Sequence, residues 1–452
     1  LGRALGQGTD VTLASGAANA EGGQEIFGVV FDTAAQVVKN EGGNASLRVD
    51  SATGIAMLER STIQSKTGAL HVDFNADANG PALPAGDAPI VGEGAARIAP
   101  IQMTDAVIET NGGNVRFYGQ GDAQNGRALG YANVSFSSLP FSSAGVQVTG
   151  GRISTCAMGA ASCAQGGEIS LLGAGQTVLS SSYLVGSTGV LLASTELISG
   201  SGAITVDGTG GLAATGVAMG QSSSGGTPGP RNRIASASGD VTVRGSTRGW
   251  TAGEDVERLQ FGASGAGVRL AGTDIVTGGN ARVEGKGADL GALLADPGFA
   301  KLSASSTINA SHGVLIGDTG IAAGQGRRID IVGTAGSAGL TYDFNGVPTP
   351  PPAGINEGFT PTAVWIRASG AGQGLRAEGG QINIVGGNGD VLLQRGAQAD
   401  ALLSTASNNV AGGAIAVTGR NIYGGGLAGA TGTLADASGA GTGGSIRFES
   451  TV

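Results

Sequence analysis

The chain has 452 residues with 87 glycines, 13% charged, 4% aromatic and 40% hydrophobic residues, and a net charge of −9. Glycine far above the usual roughly 7% and charge far below about 25%, joined to this aliphatic content, exclude disorder, which needs low hydrophobicity and high net charge. The absence of a three-residue glycine period excludes collagen, and the acidic balance argues against a nucleic-acid partner, which calls for a basic surface.

Leu1 opens the chain with no charged-then-apolar leader, as expected of a processed product or a fragment. No run approaches 18 apolar residues, so no helical membrane span is expected. From there short alternating segments recur, each bounded by glycine. "DVTL" (10–13) is followed by "GGNASLRV" with Leu47 and Val49 in phase, "GIAML" (54–58), and "TGALHVDF" with Leu70, Val72 and Phe74. "AVIET" (106–110) precedes "GGNVRFYGQG" (112–121), where Val115 and Phe117 face a core and Arg116 and Tyr118 face solvent. "GVQVTGGRIST" (145–155) leads to "GGEISLLGAG" with Ile169 and Leu171. Next come "GVLLASTELIS" (189–199), "SGAITVDG" with Ile204 and Val206, and "SGDVTVRG" with Val241 and Val243. "GVRLAGTDIV" (267–276), "GGNARVEG" with Ala281 and Val283, "GVLIGDTGI" (313–321) and "RRIDIVG" with Ile329 and Ile331 continue the series. It closes with "GGQINIVGG" (Ile382, Ile384), "DVLLQ" (390–394), "GGAIAVTG" (Ile415, Val417) and "GGSIRFES" (Ile446, Phe448).

Period-two alternation over about five residues reads as a half-buried strand. Glycine or asparagine before each strand suits turn positions with positive φ. The main anchors recur every roughly 25 to 55 residues, the range of solenoids. Each coil of such a structure buries its apolar face only against its neighbours, and a narrow interior favours aliphatic residues over rings. The sequence therefore predicts an all-β fold, a right-handed parallel β-helix, with residues 1–452 forming one shaft. With strands about 4.8 Å apart, roughly 14 to 18 coils would make a rod of roughly 70 to 90 Å. A β-sandwich array is the structural rival, but it would want more aromatics and repeated hairpin signals. Loop insertions are expected at 75–95, 222–233 and the Pro-rich 345–362. A short helix is expected over 288–302, where Leu290, Leu293 and Leu294 have helical spacing before Pro297. No cap is recognisable at either end of the solenoid.

Few residue patterns carry chemistry. Cys156 and Cys163 in "CAMGAASC" are the only cysteines, and their closeness predicts a local disulfide and an oxidising compartment. His71 and His312 are the only histidines, too few for a triad or a histidine metal site, and both read as solvated or structural. "GGGLAG" (424–429) matches a dinucleotide fingerprint literally but lacks the helix that must follow. "GGNGDVLLQ" (386–394) approaches a calcium nonapeptide with Asp390 one position early and no tandem copy, and reads as a turn into a strand. Asp73, Asp77 and Asp330 are the nearest candidates for the convergent carboxylates of a polysaccharide-cleaving β-helix, against a reading as solvated turn acids. Asn44, Asn133 and Asn309 open N-x-S/T sequons. No catalytic residue, cofactor or metal is expected.

The succession "GTDVTLASG", "GNASLRVDSATGI", "KTGALHVDFNAD" and "ETNGGNVRFYGQG" resembles the filamentous-haemagglutinin family of exoproteins, most densely over residues 8–170. The resemblance implies a β-helical shaft, export through an outer-membrane transporter by two-partner secretion in a Gram-negative bacterium, and a secreted or cell-surface location. It implies adhesion to a receptor or glycan on a host or neighbouring cell, and carries no catalytic motif. Two alternatives stand beside it: a self-assembling extracellular filament subunit associating through the helix ends, and a β-helix polysaccharide lyase or hydrolase.

Overall fold

The computed structural model describes the chain apart from residues 17–26, 82–89, 93–97, 131–143, 180–183, 213, 222, 225–226, 250–264, 290–306, 309–310, 338–339, 343–347, 350–360, 398–399, 427–432 and 452. Three long parallel sheets run through the described residues, and the chain visits them in strict rotation. Each turn gives one strand to each sheet, which makes the fold a parallel β-helix. The main path of the first sheet carries Val11–Ala14, Ala45–Ser51, Leu70–Ala76, Val115–Gly119, Ile169–Ala174, Ile204–Leu212, Val241–Arg248, Ala281–Lys286, Arg328–Thr334, Gln381–Val385, Ala414–Gly419 and Ser445–Ser450. The second and third sheets have eleven strands each.

The described residues thus make eleven complete coils, fewer than the spacing of strands in the sequence predicts. At about 4.8 Å per coil the stack is roughly 50 Å long. The excess arises because segments such as Gly54–Met57 and Thr62–Ser65 are the second and third sides of one coil, not coils of their own. Partners on adjacent coils lie as few as 25 residues apart (Asp50 and Asn75) and as many as 54 (Asn114 and Glu168). The largest surpluses leave between a first-sheet strand and the next second-sheet strand. There, Ile90–Gly92 joins the hairpin of Thr177–Leu179 and Leu184–Gly186, and Thr307–Ile308 joins Leu340–Tyr342 and Pro348–Thr349.

Of the expected loops, Asn75–Ala76, Asn232–Arg233 and Thr362 are strand residues, and Ser223–Ser224 pairs with Thr227–Pro228 as a small hairpin. Most of 75–95 and 345–362, and the expected helix from Leu290 onward, lie outside the described residues.

The core is a set of stacked ladders. Leu47, Val72, Val115, Ile169, Ile204, Val241, Ala281, Ile329, Ile382 and Ile415 follow one another in register, all 2% exposed or less. The parallel row Phe74, Phe117, Leu171, Val206, Val243, Val283, Ile331, Ile384 and Val417 is buried equally. Rings do enter this interior: Phe31, Phe74 and Phe117 stack with centroids 5.7 and 5.0 Å apart.

Two corners depend on glycine. Gly173, Gly208, Gly245, Gly285 and Gly333 are register neighbours on the first sheet. A Cβ on each would collide with the backbone carbonyl of Gly189, Gly216, Gly267, Gly313 or Ala363 respectively, at the turn into the second sheet. At the other corner, Gly202, Gly239, Gly413 and Gly444 stand before first-sheet strands without positive φ. Their missing Cβ instead clears the carbonyl of Gly167, Gly202, Gly380 or Gly413 one coil back. Positive φ is confined there to positions such as Gly112 (φ 102) and Gly379 (φ 60). Buried hydroxyls satisfy carbonyls at this corner: Thr110 Oγ1 donates to Gly113 O (2.6 Å) and Ser199 Oγ to Gly202 O (2.7 Å).

The ends differ. Helix Gly2–Gly6 packs against the first strand of the third sheet, Gln36–Lys39, with Leu5 fully buried. This helix is not legible in the sequence, because five residues give no helical period. Lys39 beneath it is also fully buried, its Nζ donating to the carbonyls of Glu41, Gly42 and Thr67. Burial lowers its pKa. At the opposite end the last strand is exposed throughout, leaving the core-phase residues Ile446 and Phe448 45% and 44% exposed.

Gly245→Val is expected to lower stability by roughly 3 kcal/mol, since overpacking forces backbone shifts. Gly220→Ala, whose Cβ would meet nothing within 4 Å, is expected to be nearly neutral. Urea denaturation followed by circular dichroism compares them, and equal midpoints would overturn the corner argument. Phe117→Ala is expected to cost about 4 kcal/mol in the same assay, through the cavity left in the ring stack.

Candidate functional site

Outward positions of the first sheet form two ladders parallel to the rod. One runs Arg48, Asp73, Arg116, Ser170, Thr205, Thr242, Arg282, Asp330 and Asn383. The other places Asp50 beside Asn75 and Tyr118 in the early coils, then Leu172, Asp207, Arg244, Glu284 and Val332. Alternation along each strand produces the ladders, and parallel pairing in register keeps them straight.

In the early coils, Arg48 Nε donates to Asp50 Oδ2 (2.8 Å) and Asn75 Nδ2 to Asp50 Oδ1 (2.6 Å). Asp73 sits between Arg48 and Arg116 in register. Burial raises its pKa above the usual aspartate range, against the lowering effect of Arg116, Arg48 and His71. Tyr118, expected in solvent, is 2% exposed. Beyond it the chain turns at Asp122–Asn125 and returns to pair Ala128–Leu129 with Gly173–Ala174, so this stretch of the sheet is not a bare outer face. Burial and the charge of Asp73 raise the Tyr118 pKa.

In the middle coils the second ladder lines an open groove of about 300 Å³. Thr209, Gly245, Ser246, Gly285, Lys286, Thr334 and Arg127 complete its lining. Arg127 comes from the inserted turn: Gln120 holds its backbone, accepting from Arg127 N (2.8 Å) and donating to Arg127 O (2.9 Å). Its Nη1 reaches Asp207 Oδ1 and the Asp207 carbonyl, both at 3.0 Å. Glu284 lies 3.5 Å from Arg244 Nε and 3.0 Å from Arg282 Nη2. Lys286 is exposed and has no ion-pair partner among the described residues. A smaller hollow of about 60 Å³ on the second sheet is lined by Trp365, Arg269 and Arg367 among others.

The third sheet carries a further built feature. Cys156 and Cys163 form a disulfide (S–S 2.03 Å) that closes a loop folded onto the sheet. Arg152 donates to Ala160 O, Gly159 N donates to Glu109 Oε1 (2.9 Å), and Arg233 Nη1 donates to Ala161 O (3.3 Å). Arg152 also bridges Glu109 (3.3 Å) and Glu196 (2.6 Å), and Gln64 Nε2 donates to Glu109 Oε2 (2.8 Å). Met158 at the loop tip is 47% exposed.

The remaining sequence candidates are dispersed. Asp73 and Asp77 do not converge: Asp77 sits at the turn after the strand (φ 54) and accepts from Gln120 Nε2 (3.1 Å). Asp330 is paired with Arg328 (2.8 Å) and Asn383 (3.0 Å). His71 Nδ1 accepts from Asn114 N (3.2 Å), and His312 is fully buried with Nδ1 2.8 Å from Thr362 Oγ1. Asp390 opens the strand Asp390–Arg395 after a turn at Gly386–Gly389 and accepts from Arg420 and Asn421. Gly424–Gly426 belong to a strand, and the rest of that glycine run lies outside the described residues. Asn44 is exposed, its Oδ1 accepting from Ala69 N (2.9 Å), while Asn133 and Asn309 lie outside the described residues. Among the described residues no group of three or more His, Cys, Asp or Glu is placed to hold a metal ion. The groove and its arginine lip were not identified in the sequence, although aligning the repeat anchors one above another would have brought Asp207, Arg244 and Glu284 together.

Comparison with protein-family models, curated proteins and solved structures found no match.

Alkylation without reductant is expected to label neither Cys156 nor Cys163, and mass spectrometry checks this. Arg152→Ala is expected to cost about 3 kcal/mol, because it leaves the buried Glu109 carboxylate short of its cation. Adding Glu109→Gln should recover part of that loss in a thermal-melt series. Asp73→Asn is expected to stabilise the fold at neutral pH. The raised pKa means that wild-type stability from this group is fully present below the ordinary aspartate pKa and is lost as pH rises through the folded value. Melting curves from acid to neutral pH should therefore converge at the acid end and separate above it.

Proposed function

We propose that this chain is the β-helical shaft of a secreted or cell-surface exoprotein, acting as a structural and adhesive rod. The observation that carries the reading is the unbroken three-sided stack of described coils, whose pitch is kept while coil length varies about twofold. Such a scaffold holds inserted segments at fixed heights along a stiff axis. The disulfide-closed loop supports an oxidising location. The haemagglutinin-like segments in the first 170 residues support export by two-partner secretion and a receptor or glycan on another cell as the partner. Beads coated with the chain are expected to bind cell surfaces saturably and to be displaced by soluble chain. Binding no better than that of bare beads would overturn the adhesive part of the reading.

A further inference from the structure

We infer that the groove on the outer face of the first sheet is a binding site for a linear uronic-acid oligosaccharide, an inference that rests on the proposed extracellular adhesive role. Three cations, Arg127, Arg244 and Lys286, line it against two carboxylates, Asp207 and Glu284. Glu284 is further held by Arg282. This local positive excess lies on a chain whose net charge is −9, so it is not a reflection of overall composition. The cations do not converge on one point, as they would around a single phosphate. They are distributed over successive rungs: Arg127 pairs with Asp207, Arg244 is the register neighbour of Asp207, and Lys286 is on the next strand in register with Ser246, with strands about 4.8 Å apart.

That spacing is close to the advance of one sugar in an extended chain, so an elongated ligand lying along the ladder would meet one rung per ring. A guanidinium receives a carboxylate through paired N–H donors, which suits Arg244 to the acid groups of such a ligand, as its charge suits the exposed ammonium of Lys286. Asp207, Glu284, Thr209, Ser246 and Thr334 can accept from its hydroxyls. Among the described residues no aromatic side chain lines the groove, so they offer no stacking surface of the kind used for neutral sugars. The two carboxylates disfavour a densely sulfated chain. Uronates, with one charge and free hydroxyls per ring, match both signs.

The test is calorimetric titration of the full chain with a hexamer of galacturonic acid, with cellohexaose and a sulfated hexasaccharide as comparisons. The uronate is expected to bind, more weakly as ionic strength rises from about 0.01 to about 0.15 M. Cellohexaose is expected to give no heat. Lys286→Ala and Arg244→Ala are each expected to weaken uronate binding by about tenfold or more. Lys286 is exposed and has no ion-pair partner among the described residues, so its variant should melt as the parent does. Uronate binding unchanged in Lys286→Ala, equal binding of cellohexaose, or tighter binding of the sulfated chain would each overturn the inference, as would no uronate binding at all. Cell binding by the bead assay without uronate binding would overturn this inference and leave the adhesive reading standing. Lys286-dependent uronate binding without cell binding would do the reverse.

Discussion

The fold depends on how closely backbone can approach backbone at two corners. At one, the first sheet turns toward the second with the carbonyls of Gly216, Gly267 and Gly313 filling the space where side chains of Gly208, Gly245 and Gly285 would stand. At the other, each incoming glycine rests on the carbonyl of the coil before it, as Gly444 does on Gly413. A methyl group at the first corner would force one side of a coil away from the next side, and at the second it would push successive coils apart. The high glycine content is therefore mainly a steric requirement of a thin three-sided prism. Left-handed backbone geometry accounts for a smaller share of it.

Tight corners and an aliphatic interior leave the outward positions as the freely variable part of each strand. In-register pairing then converts a choice made once per coil into a line of side chains along the rod. The groove arises this way, as neighbouring coils place Asp207, Arg244 and Glu284 side by side from residues some forty positions apart in the chain. Only Arg127 is brought by a different route, from an inserted turn anchored through Gln120. Charge near the first coils is organised differently. There Asp73 keeps a raised pKa because burial outweighs its two flanking arginines, and Tyr118 lies under cover.

Much of the architecture was legible because burial leaves a mark of period two. Val115 and Phe117, Ile204 and Val206, and Ile382 and Ile384 alternate in sequence and are buried in pairs. The number of coils was less legible, since second-sheet strands such as Gly54–Met57 are buried throughout and show no alternation that would assign them to a side. The helix Gly2–Gly6 was illegible because five residues cannot display a helical period. Tyr118 was misjudged because alternation reports which face of the strand a residue is on, and cannot report what later folds over that face. The groove required register, a property of pairs of coils that no single segment encodes.

The insertions have a consequence for how this molecule keeps time along its axis. Extra chain leaves mainly by one edge of the prism and rejoins at the same height, so the count of residues per coil drifts while the hydrogen-bond ladder does not. Position along the rod is stored in space and not in sequence number. A segment spliced into that edge would change the silhouette of one side without shifting a single rung on the other two. The molecule thus has one heavily ornamented edge and two that carry less, the disulfide loop and the Ser223–Pro228 hairpin among them, and the ladders of all three sheets set its ruler.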